Sequence, residues 1–171
     1  MNWMKKVAVA LVCLLPLGLQ AAKVDTLQVK SPSMNKSIEV VVVSPDMAAT
    51  EACPVIYLLH GYGGNARTWV GIKPDLPKIA DEKGIFFVCP DGKNTWYWDS
   101  PLNADVRYET FISDELVKYV DSHYKTVADR KGRAITGLSM GGHGAMWNGL
   151  RHSDAVSYTH LRAHETDQYL V

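Results

Sequence analysis

Ser139 stands in the run Gly137-Leu138-Ser139-Met140-Gly141-Gly142, which matches the pattern Gly-x-Ser-x-Gly. The chemistry open to a serine so placed is acyl transfer, in which its hydroxyl attacks a carbonyl carbon and the carbonyl oxygen becomes an oxyanion. Glycine on either side lets the backbone turn sharply and pack close to another segment, where a Cβ would clash. A second run, His60-Gly61-Tyr62-Gly63-Gly64, lies about eighty residues earlier and follows the apolar stretch Val55-Ile56-Tyr57-Leu58-Leu59. An acyl-transfer site takes one oxyanion N–H from the residue after the nucleophile and another from a loop after an earlier strand. Those donors are expected at Met140 and Tyr62.

Such groups act only if strands and helices hold them. Residues 26–29 and 38–43 alternate apolar and polar around a Ser-Pro-Ser-Met-Asn turn, which predicts a hairpin. The continuous apolar runs 55–59 and 85–89 suit strands buried on both faces, and 133–136 is a third short strand. Between them lie a helical stretch over 67–83 interrupted by Pro74 and Pro77, and an amphipathic helix over 108–124 marked by Ile112, Leu116, Tyr119, Val120 and His123. A last helix follows Ser139 to about His152. Alternating strands and helices predict an α/β fold with a mostly parallel sheet flanked by helices. Ser139 and Tyr62 then fall at one carboxyl edge, where ligands of open α/β sheets collect. Cys53 and Cys89 come out at opposite ends of neighbouring strands, too far apart for a disulfide, and are expected as buried free thiols.

Three segments together resemble the esterase D family of α/β hydrolases: Leu58 to Gly64, Pro90-Asp91-Gly92 with its Trp-rich continuation, and Gly137 to Gly142. That family includes S-formylglutathione hydrolases, feruloyl and acetyl-xylan esterases and related mycolyltransferases. The resemblance spans about residues 25–155. It implies the N-terminal half of an α/β-hydrolase fold, with Ser139 as nucleophile and the N–H groups of Tyr62 and Met140 as oxyanion hole. It also implies that Trp96 to Trp98 border the acyl or sugar site, although Trp96 and Trp98 could equally be core residues. The expected activity is an exported serine carboxylesterase acting on acylated carbohydrate; the alternative is a non-catalytic carbohydrate-binding relative.

The triad of this fold runs in the order Ser, Asp or Glu, His, and here the match is incomplete. Asp154, His160 and Asp167 have the right types but no predicted strands to position them, so neither acid nor base is assigned. His143, one helical turn past Ser139, is expected to face solvent or helix packing, and His60 to structure its loop. The chain as written is therefore expected to be an inactive fragment, lacking its acid and histidine, of a carboxylic ester hydrolase.

Composition narrows the rest. Zero net charge from 18 Lys+Arg and 18 Asp+Glu, with no basic block, gives no footprint for nucleic acid. No His-Glu-x-x-His, Cys-x-x-Cys, calcium-loop, phosphate-loop or dinucleotide pattern occurs, so neither metal nor cofactor is expected. The expected partner is a small-molecule or oligosaccharide ester substrate. Lys5-Lys6, the apolar run Val7 to Leu15 and Ala21-Ala22 read as a signal peptide over 1–22, which predicts a periplasmic or secreted protein with no membrane anchor after cleavage. Residues 23–155 read as the partial hydrolase domain. Residues 156–171 show no strand, cap or core face and resemble translated sequencing-adapter sequence, so they are expected to be a non-native tail; the other reading is a polar C-terminal helix.

Overall fold

A computed structural model describes residues 22–162. The signal-peptide expectation falls, but for Ala22, outside these residues, as does Asp167. The chain begins with an antiparallel hairpin, β1 (Lys23–Ser31) and β2 (Lys36–Ser44), in register from Lys23 opposite Ser44 to Ser31 opposite Lys36. β3 (Val55–Leu59), β4 (Phe86–Pro90), β5 (Arg133–Leu138) and β6 (Tyr158–Arg162) complete one six-stranded sheet in the order β1-β2-β4-β3-β5-β6. β4, β3, β5 and β6 are mutually parallel, and β2 joins β4 antiparallel. The sheet is thus mostly parallel, as expected, with the hairpin as an antiparallel margin.

Side chains alternate across the strands and feed two cores. Val40, Val42, Val55, Tyr57, Leu59, Phe86 and Val88 point to one face, and Val41, Val43, Leu58, Phe87 and Cys89 to the other. The second face is covered by α1 (Thr68–Ile72) and α2 (Leu76–Lys83), which bring Leu76 and Ala80. The break between them falls at Pro74, and α2 ends at Gly84 in the left-handed conformation (φ 62°), whose N–H closes on the Ala80 and Asp81 carbonyls.

The first face is covered by two helical segments. One runs as α3 (Tyr108–Thr110), a π-helical turn (Phe111–Glu115) and α4 (Leu116–His123); the other is α5 (Met140–Arg151). The π turn corrects the expected apolar face. Ile112, Leu116 and Val120 are buried as expected, and the wider i→i+5 spacing adds Phe111 to the core side. His123, placed on that face by a 3.6-residue period, is instead exposed and stacks on Tyr119 with ring centroids 4.0 Å apart.

Cys53 and Cys89 are free and buried, and they belong to the cores on opposite faces. Burial pushes the Cys89 thiol up to about 12. Among the described residues no helix is long and apolar enough to cross a membrane.

The segment after Ala155 departs from the sequence reading. Ala155 and Val156 are buried in the first core, Ser157 donates its N–H to the Arg133 carbonyl at 3.2 Å, and β6 pairs with β5 from Tyr158 opposite Ala134 to Arg162 opposite Leu138. The expectation of neither strand nor core face from residue 156 onward is therefore wrong for 156–162. A parallel ladder is built from main-chain groups, and β5 offers its second edge to whatever chain arrives there. Side-chain alternation was therefore a poor guide to this strand.

Candidate active site

The turn between β5 and α5 holds Ser139 at φ 53°, ψ −113°, a left-handed conformation that a residue with a Cβ seldom adopts. Close packing fixes it there. A Cβ on Gly141 would overlap the Leu59 carbonyl and stand 2.7 Å from the His60 carbonyl oxygen, so only glycine lets α5 start against the end of β3. The result is an exposed Ser139 at the carboxyl edge of the parallel strands, with a fully buried Met140 side chain beneath it. The Met140 N–H belongs to the first turn of α5. There helix amides lack intrahelical acceptors and the helix dipole favours negative charge.

The loop after β3 lies against this turn. A Cβ built on Gly61 would stand 3.7 Å from the Ser139 Cβ and 3.2 Å from the Leu138 carbonyl oxygen. His60 is buried at its base. Its Nδ1–H donates to the Gly61 carbonyl at 2.7 Å, while Nε2 accepts the Gly92 N–H at 2.9 Å, which together define the tautomer. The Gly64 N–H also donates to the Gly61 carbonyl, at 3.0 Å. Because a trans peptide points its N–H away from its C=O, holding the Gly61 carbonyl back directs the Tyr62 N–H to the opposite side of the loop. The Tyr62 side chain itself is exposed. His60 is thus the loop-structuring residue the sequence suggested.

Asp91 supports the same loop from the end of β4. Its carboxylate lies 3.5 Å from His60 Nε2, accepts the Lys93 N–H at 2.8 Å and pairs with Lys93 Nζ at 2.6 Å. Burial opposes its ionisation, but the Lys93 ammonium and the Lys93 N–H, both donating to it, outweigh burial and bring the carboxyl down to about 2. Asn94 completes the brace by accepting the Gly63 N–H at 2.7 Å.

Trp96 and Trp98 follow β4 on the same sheet edge and are 45% and 44% exposed, so neither is a core residue. Trp96 meets the His143 ring edge-to-face at 5.3 Å, which puts the aromatic segment beside the first turn of α5. His143 also stacks on Trp147, which carries Arg151 over its ring at 4.9 Å. His143 is therefore engaged in helix packing, as expected. The core residue of the aromatic segment is Tyr97, which the sequence reading passed over because it sits between two tryptophans.

The carboxylate and histidine candidates separate in space. Asp154 lies in the turn after α5, at the amino end of the parallel strands and so across the sheet from Ser139. His160 is a mid-strand residue of β6, opposite Thr136. Among the described residues none hydrogen-bonds to the Ser139 hydroxyl, and none of their His, Cys, Asp and Glu side chains cluster as a metal site.

This strand–serine–helix turn, packed on a glycine-rich loop, agrees with comparison to known proteins. The Esterase family matches residues 31–164. The chain belongs to that family. It is an esterase D-like α/β hydrolase in fold, and its sheet and flanking helices are the N-terminal half of that architecture. A curated relative, an acetyl esterase of Caldicellulosiruptor saccharolyticus, is 30% identical over 105 residues, covering 61% of this chain and 38% of its own length. A solved ferulic acid esterase superposes with TM-score 0.70 at 31% identity, over 82% of this chain and 59% of that one. An S-formylglutathione hydrolase from Agrobacterium tumefaciens shares the fold, with TM-score 0.71 at 24% identity over 81% of this chain and 57% of its own. The chain thus spans well under half of the curated esterase and somewhat over half of the solved hydrolases.

Proposed function

We propose that this Esterase-family chain carries the nucleophile and oxyanion machinery of an exported serine carboxylesterase acting on acyl esters, with acylated carbohydrate as substrate class. The observation that carries the reading is the pairing of an exposed, left-handed Ser139 with a loop whose Gly61 packs against it. In the proposed reaction the Ser139 hydroxyl adds to the ester carbonyl, and the oxyanion is received by the N–H groups of Tyr62 and Met140. The alcohol then leaves, and water releases the acid from the acyl-enzyme. The general base that takes the Ser139 proton, and the carboxylate that orients it, are assigned to no residue of 22–162. The exposed rings of Tyr62, Trp96 and Trp98 give the site an aromatic border that suits an apolar acyl group or a stacked sugar face. Acetyl and feruloyl esterases among the relatives support the ester class, and Lys5-Lys6 with the apolar run after it supports export.

The test expresses the gene in an exporting host and assays the product on p-nitrophenyl acetate and methyl ferulate. Little turnover by residues 23–171, and turnover by the extended reading frame that Ser139→Ala lowers at least about 10³-fold, are expected, together with a mature N-terminus near Ala22 or Lys23 by mass spectrometry. Turnover untouched by Ser139→Ala overturns the nucleophile. Tight binding of xylo-oligosaccharide without any Ser139-dependent turnover favours the carbohydrate-binding alternative.

A further inference from the structure

Trp96 and Tyr97 both have φ 59°, so two successive non-glycine residues occupy the left-handed region. Such a pair persists only where the surroundings over-determine it. Here the restraints are visible. The turn drives the Tyr97 ring inward between Gly92 and Gly144, where it is wholly buried. A Cβ on Gly144 would stand 2.5 Å from the ring, and one on Gly92 would overlap it. The Tyr97 carbonyl accepts the side-chain amide of Asn148, a buried residue of α5, at 3.0 Å. Its hydroxyl donates to the His60 carbonyl at 3.2 Å, and its ring meets the His60 imidazole edge-to-face with centroids 5.6 Å apart. One side chain therefore touches three segments of the carboxyl edge: the loop after β3, the loop after β4, and the helix that Ser139 begins.

We propose that Tyr97 is a positioning residue for the oxyanion loop, fixing the His60 and Gly61 peptides so that the Tyr62 N–H faces the carbonyl attacked by Ser139. The inference rests on the esterase reading above. Two successive carbonyls decide the matter. That of His60 is held by the Tyr97 hydroxyl, and that of Gly61 by His60 Nδ1–H and the Gly64 N–H. With both peptide planes fixed, the next N–H in the chain, that of Tyr62, has its direction set. Tyr97 never touches substrate. It acts through His60, which explains why a tyrosine flanked by exposed tryptophans is the buried one. Burial holds its phenol well above the usual tyrosine range, so it remains a donor throughout the working pH range.

The experiment compares the full chain with its Tyr97→Phe variant, which keeps the ring and removes only the hydroxyl. A donor that is misaligned but present acts mainly in the transition state, so kcat on p-nitrophenyl acetate should fall about tenfold with KM within about twofold. The backbone amide resonance of Tyr62 should shift in the 1H–15N spectrum while resonances of α2, remote from this loop, stay put. A variant with unchanged kcat and an unchanged Tyr62 resonance overturns the proposal. A variant that loses kcat and raises KM alike, with resonances shifted throughout the sheet, also overturns it, because Tyr97 would then be a general packing residue. Absence of turnover by the wild-type chain is what a fragment without its acid and histidine gives, and it leaves the esterase reading to the Ser139→Ala test above. The Tyr62 resonance then decides alone: a local shift in Tyr97→Phe supports positioning, and none refutes it.

Discussion

At the scale of single residues, the site is held by groups that do no chemistry. Asp91 is the clearest case, because its charge holds the Lys93 N–H and ammonium after β4, beside the Asn94 that accepts the Gly63 N–H of the oxyanion loop. Its carboxyl titrates at about 2 in the folded chain, below the ordinary aspartate value of 3.8. A depressed carboxylate stabilises the fold fully above the unfolded pKa and loses that contribution as pH falls through the folded one. Asp91 should therefore contribute about 1–2 kcal/mol at neutral pH, after allowing for solvent screening at the exposed Lys93 ammonium. That contribution should fade between about pH 4 and pH 2. Urea unfolding of wild type and Asp91→Asn should show a gap near pH 7 that closes toward pH 2; a gap constant with pH would rule this out. The chemistry-bearing residues Ser139, Tyr62 and Met140 were legible because glycine spacing announces a strained turn and a donor loop. Tyr97, Asn94 and Asn148 were not, since one polar or aromatic residue carries no periodic signal until its partners are known. Asn148 could have been suspected only as an amide in the last turns of α5, between apolar Trp147 and Leu150.

At the scale of elements, propensity and apolar period found β1 to β5 and most helix limits, missed β6, and failed where backbone geometry departs from the regular period. The π turn at Phe111–Glu115 is such a place, because a 3.6-residue period cannot foresee an inserted residue. That irregular helix needs an anchor, and Glu109 supplies it. Its carboxylate accepts Trp147 Nε1–H at 2.6 Å, Arg151 Nε–H at 2.7 Å and contacts His152 Nε2 at 2.8 Å, so α3 is clamped to the last turns of α5. Burial raises its carboxyl, but hydrogen bonds from Arg151, Trp147 and His152 prevail and hold it below the usual range. Glu109→Gln keeps the volume but removes the charge that these donors converge on. The expected loss is about 2 kcal/mol, less than for a fully buried pair because Arg151 is half exposed. Chemical unfolding followed by tryptophan fluorescence measures it, and a loss under about 0.5 kcal/mol would show that the clamp is not stabilising.

At the scale of the whole molecule, the sheet order places every loop of the site on one edge because β3, β4 and β5 run parallel side by side. The elbow then depends on how firmly β5 is held. β3 supports it on one side, from Val55 opposite Arg133 to Leu59 opposite Gly137, and β6 supports it on the other, up to Arg162 opposite Leu138. The last rung of β6 thus lies beside the residue that precedes Ser139. A chain ending at Ala155 would lose this ladder and the buried Val156, leaving β5 with an open, apolar edge. Removing 156–171 should therefore cost about 2 kcal/mol or more, from one buried valine and a row of main-chain hydrogen bonds. It should also increase aggregation and speed amide exchange at Gly137 and Leu138. Thermal unfolding and hydrogen exchange on residues 23–155 against 23–171 make the comparison directly. Equal stability and equal protection of β5 would mean that β6 adds nothing to the fold, as a foreign tail should not. A large loss confined to β5 and the start of α5 would mean that the strand supports the nucleophile, whatever the origin of its sequence.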